Sequence, residues 1–148
     1  MGEPPEKSVE LSIRNDITEL VAVSEALQRI GENADIPSKT LMHLQIVLDE
    51  ILSNIIKYAW NPSEPHEIKI GIKVHNGTVT LAFVDDGTPF DPSGHSLVQP
   101  ETVGTRPQPG GKGIHLVKQL VDEFQYASID GKNRLTITKR YHSTGGGR

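Results

Sequence analysis

Cysteine is absent from this 148-residue chain, so neither a disulfide framework nor a cysteine zinc site is available. A basic excess is absent as well. Fifteen Lys and Arg stand against nineteen Asp and Glu, for a net charge of -4, which gives no electrostatic case for nucleic acid, because phosphate neutralisation needs clustered Lys and Arg. No apolar run approaches the length of a membrane span. The start, Met1 to Glu10, is polar, carries Pro4 and Pro5, and has no apolar stretch of the secretory type. The expectation is a cytoplasmic protein that contacts neither membrane nor nucleic acid. The histidines (His43, His66, His75, His95, His115 and His142) are scattered without zinc-ligand spacing. No Gly-x-Ser-x-Gly elbow supports a serine hydrolase, and no segment repeats.

What is present suits one globular domain: hydrophobic residues make up 35% and charged residues 23%, enough for a core without excess. The expected organisation is a flexible leader over 1–8, a single domain over 9–141 and a flexible tail over 142–148. Val9, Leu11 and Ile13 alternate with polar neighbours and predict a strand. Asp16, with Glu19 three residues on, has capping-box spacing and opens a helix through Leu20, Val23, Leu27 and Ile30, which should run until Gly31. Pro37-Ser38 opens a second helix on the stripe Leu41, Leu44, Leu48, Ile51, Leu52, Ile55. Asn61-Pro62 stops it near Trp60. From Glu67 the period falls to two: Ile68, Ile70, Ile72, Val74, a turn at His75-Asn76-Gly77, then Val79, Leu81, Phe83. Residues 86–112 are rich in Pro and Gly and predict a long loop, a length usually tied to function or disorder. A helix with Ile114, Val117, Leu120 and Val121 on one face follows. Phe124–Ile129 and Leu135–Lys139 form a second hairpin across Asp130-Gly131-Lys132-Asn133. The order β, α, α, β, β, loop, α, β, β predicts an α+β two-layer sandwich: a mixed, mainly antiparallel sheet with helices on one face.

Three segments can carry chemistry. Glu50 and Asn54 lie one helical turn apart on the second helix, with Lys57 and Tyr58 extending the strip, while Asp49 projects elsewhere. The pair suits a solvated helix edge; it also suits proton transfer beside a magnesium ion, since Mg²⁺ takes few protein oxygens and bridges phosphates. Asp85-Asp86-Gly87 ends a strand. It reads as ordinary turn chemistry, or as a carboxylate that accepts from an adenine amine, a donor guanine does not offer there. Pro89-Phe90 stiffens the way into the loop. Gly110-Gly111-Lys112-Gly113-Ile114 runs into a helix: either a flexible loop end, or glycines that let backbone amides approach phosphate at a positive helix terminus. It matches neither the Walker A spacing nor the dinucleotide fingerprint.

In this order, Leu48-Asp49-Glu50-Ile51-Leu52-Ser53-Asn54, Asp85-x-Gly87 with Pro89-Phe90-Asp91-Pro92, and Gly110-Gly111-x-Gly113-Ile114-x-Leu116-Val117 resemble the N, G1 and G2 boxes of the GHKL (Bergerat-fold) ATPases. Within that superfamily the similarity is to the small anti-sigma-factor serine kinases, and Gly131-Lys132-Asn133-x-Leu135-Thr136-Ile137-Thr138-Lys139 fits the same branch. The resemblance covers about residues 9–140. It implies an ATP-binding kinase fold in which Glu50 is the general base, Asn54 holds Mg²⁺ and Asp85 contacts adenine. Gly110, Gly111, Lys112, Gly113 and Ile114 then surround the phosphates, residues 92–109 form a lid, and Lys57, Gly87, Pro89 and Phe90 line the nucleotide site. Pro89 stands where many relatives carry a second glycine, and Lys112 where an apolar residue is usual. The implied partners are ATP or ADP, an antagonist protein, a sigma factor or similar regulator, and a second copy of the chain in a homodimer. The implied function is phosphorylation of a serine or threonine on the antagonist together with sequestration of the sigma factor. The alternative is a nucleotide-gated protein-binding module without kinase activity. A histidine-kinase catalytic half fits less well, because the first 35 residues hold no His and are too short for a phosphoacceptor hairpin.

Overall fold

The computed structural model describes residues 7–58, 66–87 and 111–142. Strand β1 (Lys7–Arg14) leads through a 3-10 turn to helices α1 (Leu20–Asn33) and α2 (Ser38–Tyr58). The hairpin β2 (Glu67–His75) and β3 (Thr78–Asp85) follows, then helix α3 (Gly111–Leu120) and the hairpin β4 (Glu123–Ile129) and β5 (Lys132–Arg140). The sheet order is β1-β2-β3-β5-β4. Every pairing among the described strands is antiparallel, so the sheet holds none of the parallel pairs a mixed sheet allows.

Period-two alternation decides which face is buried. Ile68, Ile70, Ile72 and Val74 of β2, Val79, Leu81 and Phe83 of β3, and Leu135 and Ile137 of β5 join one core. The helices complete it with Val23, Leu27 and Ile30 from α1, Leu44, Val47, Leu48, Ile51 and Leu52 from α2, and Ile114 and Val117 from α3. Fully burying one such side chain is worth about 1.5–3 kcal/mol. Helix α2 is central to the helical layer and packs against both α1 and α3.

Four local expectations shift. Lys7 and Ser8, placed in the leader, are strand residues, because pairing with β2 continues out to Lys7 opposite Val74. Asp16 caps the 3-10 turn Ile17–Glu19 by accepting from Thr18 N, and Glu19 reaches back to Arg14 N at 2.7 Å, so α1 starts only at Leu20. Gly31 does not end α1: it is buried two residues before the end, and a Cβ there would meet Leu41 Cδ2 at 2.5 Å. The glycine lets α2 lie close. The last hairpin turn is also tighter than expected. Asp130 and Gly131 alone carry it, at φ 54° and 76°, so Lys132 and Asn133 belong to β5. Trp60, Asn61 and Pro62, proposed as the end of the second helix, lie outside the described residues, as do most of the 86–112 loop and the 92–109 lid.

Candidate functional site

Helix α2 presents its acid and its amide in different ways. The Asn54 side chain is buried at 9% exposure, and its Nδ2 donates to the Glu50 carbonyl at 2.7 Å. A carbonyl only accepts, so this bond fixes the amide orientation and turns Oδ1 away from the helix backbone. Among the described residues Oδ1 accepts no hydrogen bond. A neutral oxygen on a rigid helix is the kind of donor Mg²⁺ accepts alongside waters and phosphate oxygens. Among the described residues no three His, Cys, Asp or Glu side chains cluster as a metal site, and a single amide ligand needs no such cluster.

Glu50 is half-buried, and it meets the first turn of α3. A Cβ built on Gly113 would lie 1.8 Å from Glu50 Oε1 and 2.7 Å from its Cδ. Only the missing side chain lets the carboxylate and that helix turn approach so closely. Thus α2 and the start of α3 are brought together at the acid. Asp49 belongs elsewhere: Gln45 Nε2 donates to its Oδ1 at 3.2 Å and to Ser24 Oγ of α1 at 2.6 Å.

Asp85 follows from the alternation of β3. Val79, Leu81, Phe83 and Asp85 occupy successive inward positions, so the strand that fills the core ends by aiming a carboxylate at the helix-facing side. Its Oδ1 accepts from Gly87 N at 2.8 Å and from Asn133 Nδ2 at 2.9 Å. Burial pushes the Asp85 carboxyl above its ordinary value, and the Asn133 and Gly87 hydrogen bonds pull against that rise. Asp86 points outward and lies 3.5 Å from His66 Nδ1.

Asn133 is the residue at this end of the sheet that sequence reasoning missed, because it was assigned to the turn. It is 6% exposed and sits opposite Asp85 in the β3–β5 register. The available signal was the spacing Asn133, Leu135, Ile137, which continues the inward face of β5 by one step. Of the other expected site residues, Lys57 is exposed at the end of α2 and Gly87 is buried. The backbone of Gly111 and Lys112 lies within the first turn of α3, where a preceding loop was expected. The Ile114 side chain is in the core. Pro89, Phe90 and Gly110 lie outside the described residues.

The histidine kinase-like ATPase domain family matches residues 13–139. The chain is 32% identical over 96 residues to the serine/threonine-protein kinase BtrW of Bordetella bronchiseptica, covering 64% of this chain and 67% of that protein. It is 24% identical to the serine-protein kinase RsbW of Oceanobacillus iheyensis, over 59% of this chain and 58% of that one. Among solved structures, the RsbU and RsbW domains of a Mycobacterium tuberculosis protein superpose with a TM-score of 0.60 at 15% identity, covering 90% of this chain and 32% of that one. That likeness is one of fold. None of the described helices is long and apolar enough to cross a membrane.

Proposed function

This chain belongs to the histidine kinase-like ATPase domain family, and from that premise we propose that it is a protein-serine kinase of the anti-sigma type. It binds Mg-ATP, phosphorylates a serine or threonine on an antagonist protein and sequesters a sigma factor or similar regulator, all within residues 9–141. The kinase names of the relatives, BtrW and RsbW, support the activity. The observation that carries the reading is the Glu50 carboxylate held against the first turn of α3, one helical turn from Asn54, whose amide is oriented by its bond to the Glu50 carbonyl.

Each residue then has a task. Asp85 accepts a hydrogen bond from the adenine amine on Oδ2, the oxygen that accepts no hydrogen bond among the described residues. The first turn of α3 offers backbone N–H groups at its positive end to the phosphates. Asn54 would hold Mg²⁺ through Oδ1, and the metal, when bound, supplies charge neutralisation at the phosphates. Glu50 takes the proton of the attacking hydroxyl as the new O–P bond forms and the bond to the ADP oxygen breaks. Catalysis rests on positioning more than on covalent chemistry.

Labelled ATP, incubated with the protein and an antagonist shown to bind it, should yield phosphoserine or phosphothreonine on that antagonist. Glu50→Gln keeps the shape of the side chain and should lower transfer by about 10²–10⁴-fold, with ATP affinity little changed because the base acts in the transition state. No transfer by the unmutated protein would make the chain a nucleotide-gated binding module. Equal transfer by Glu50→Gln would retain the kinase and move the base elsewhere.

A further inference from the structure

Behind Asp85 lies a chain of hydrogen bonds that reaches across the sheet. Asn133 Nδ2 donates to Asp85 Oδ1 at 2.9 Å and to the Gly87 carbonyl at 3.0 Å, and the Tyr126 hydroxyl donates to Asn133 Oδ1 at 2.6 Å. Asp85 and Asn133 are at 7% and 6% exposure, respectively. Each link has one workable direction. A carboxylate and a carbonyl can only accept, so both amide hydrogens of Asn133 must face them, which turns its oxygen to Tyr126 and makes the hydroxyl the donor. Asp85 Oδ1 in turn receives two donors, from Asn133 and from Gly87 N at 2.8 Å. No hydrogen bond to Asp85 Oδ2 occurs among the described residues.

We propose that Asn133 and Tyr126 are the positioning pair of the purine site: held by the Tyr126 hydroxyl, the Asn133 amide pins one oxygen of Asp85 and presents the other as a pure acceptor. The preference for adenine over guanine is then set partly by two residues, on β5 and β4, that sit behind the carboxylate. This rests on the reading that Asp85 receives the adenine amine. Without the Tyr126 hydroxyl the Asn133 oxygen loses a donor at 2.6 Å, so the amide is held less firmly and the two bonds it makes to Asp85 Oδ1 and the Gly87 carbonyl loosen. Without the Asn133 donor, buried Asp85 loses one of the two bonds that favour its ionised form. Once protonated, its O–H donates, and guanine presents a carbonyl where adenine presents an amine. The loss of positioning therefore narrows base selectivity as well as weakening binding, which a purely structural role would not do.

The test is calorimetry of Mg-ATP and Mg-GTP binding to the unmutated protein, Tyr126→Phe and Asn133→Leu, each checked for fold by circular dichroism. Tyr126→Phe removes one oxygen from a half-buried ring, so it keeps the question answerable even if Asn133→Leu does not fold. The expected result is a drop in ATP affinity of about three- to tenfold for Tyr126→Phe and about tenfold or more for Asn133→Leu, with GTP affinity falling less in both. An ATP-to-GTP ratio unchanged in folded Tyr126→Phe overturns the positioning role while leaving Asp85 in place. Equal affinity for ATP and GTP in the unmutated protein overturns the adenine assignment itself, and the pair with it.

Discussion

Asp85 stands under two opposed demands. The core alternation of β3 buries it, and burial favours its neutral form, yet the adenine contact proposed for it is strongest with the ionised one. Because its folded-state value is raised, its stabilising contribution is complete below the unfolded carboxylate value and is lost as pH rises through the raised one. Asp85→Asn removes that dependence and keeps an oxygen able to accept from Gly87 N and Asn133. The variant should match or exceed the parent in stability at pH 7, with its advantage growing from acid to neutral pH, while ATP affinity falls by about 10–100-fold. Denaturant melts across pH, paired with calorimetry, check both arms; a variant less stable at pH 7 would mean that the ionised form is well accommodated. Gly113 poses a similar conflict. Ala there gains up to about 1 kcal/mol of helix propensity, but its Cβ would sit 1.8 Å from Glu50 Oε1. The obstructing atom is the end of a flexible side chain, so the carboxylate swings aside and the fold survives. Gly113→Ala should melt at or above the parent temperature while phosphoryl transfer to the antagonist falls about 10²-fold, the scale of a misplaced catalytic group. Single-turnover transfer at an unchanged rate would show that Glu50 is not used where it now lies.

At the scale of elements, two turns of the same type carry different burdens. Asn76-Gly77 and Asp130-Gly131 both place consecutive residues at positive φ, the geometry of a two-residue hairpin turn. A Cβ on Gly131 meets nothing within 4 Å, whereas one on Gly77 comes within 3.1 Å of the Tyr141 carbonyl. Gly77 also accepts the Tyr141 N–H at 2.9 Å, which ties the end of β5 to the β2–β3 turn. Gly131→Ala should cost about 1–2 kcal/mol of left-handed strain, and Gly77→Ala measurably more, as chemical denaturation of both variants would show. The elements themselves were mostly legible. Apolar spacing in α2 and the alternation in β2 and β3 exceed what chance or turn chemistry produces. Boundaries were less so: Gly31 resembles a stop signal until Leu41 packs on it, and Asn133 resembles a turn residue until a two-residue turn pulls it into the strand. A glycine or an asparagine is equally at home in a turn and in a tight contact, and composition does not separate the two.

For the whole molecule, the two-layer arrangement makes ligand binding a stability term. A ligand that binds only the folded state at 100 times its Kd adds about 2.7 kcal/mol, which in a chain of this size corresponds to several degrees of melting temperature. Mg-ATP should raise the midpoint by that order. Chelating the metal should remove most of the rise, and Asn54→Ala, with its own midpoint near the parent's, should show little of it. A magnesium-dependent rise in Asn54→Ala equal to the parent's would take Asn54 out of the site.

The linear chain by itself determined the class of fold and the face each strand buries, because periodicity is a local property and burial follows it. It also determined the candidate acid, amide and carboxylate, since those residue types fall at spacings that regular helices and strands convert directly into direction. Three things were decided only in the tertiary structure: Glu50 pressed against Gly113, Asn133 opposite Asp85, and Tyr126 behind Asn133. Each joins residues from different elements, and such pairings depend on helix packing and strand register, which the apolar pattern constrains to a face but not to a partner.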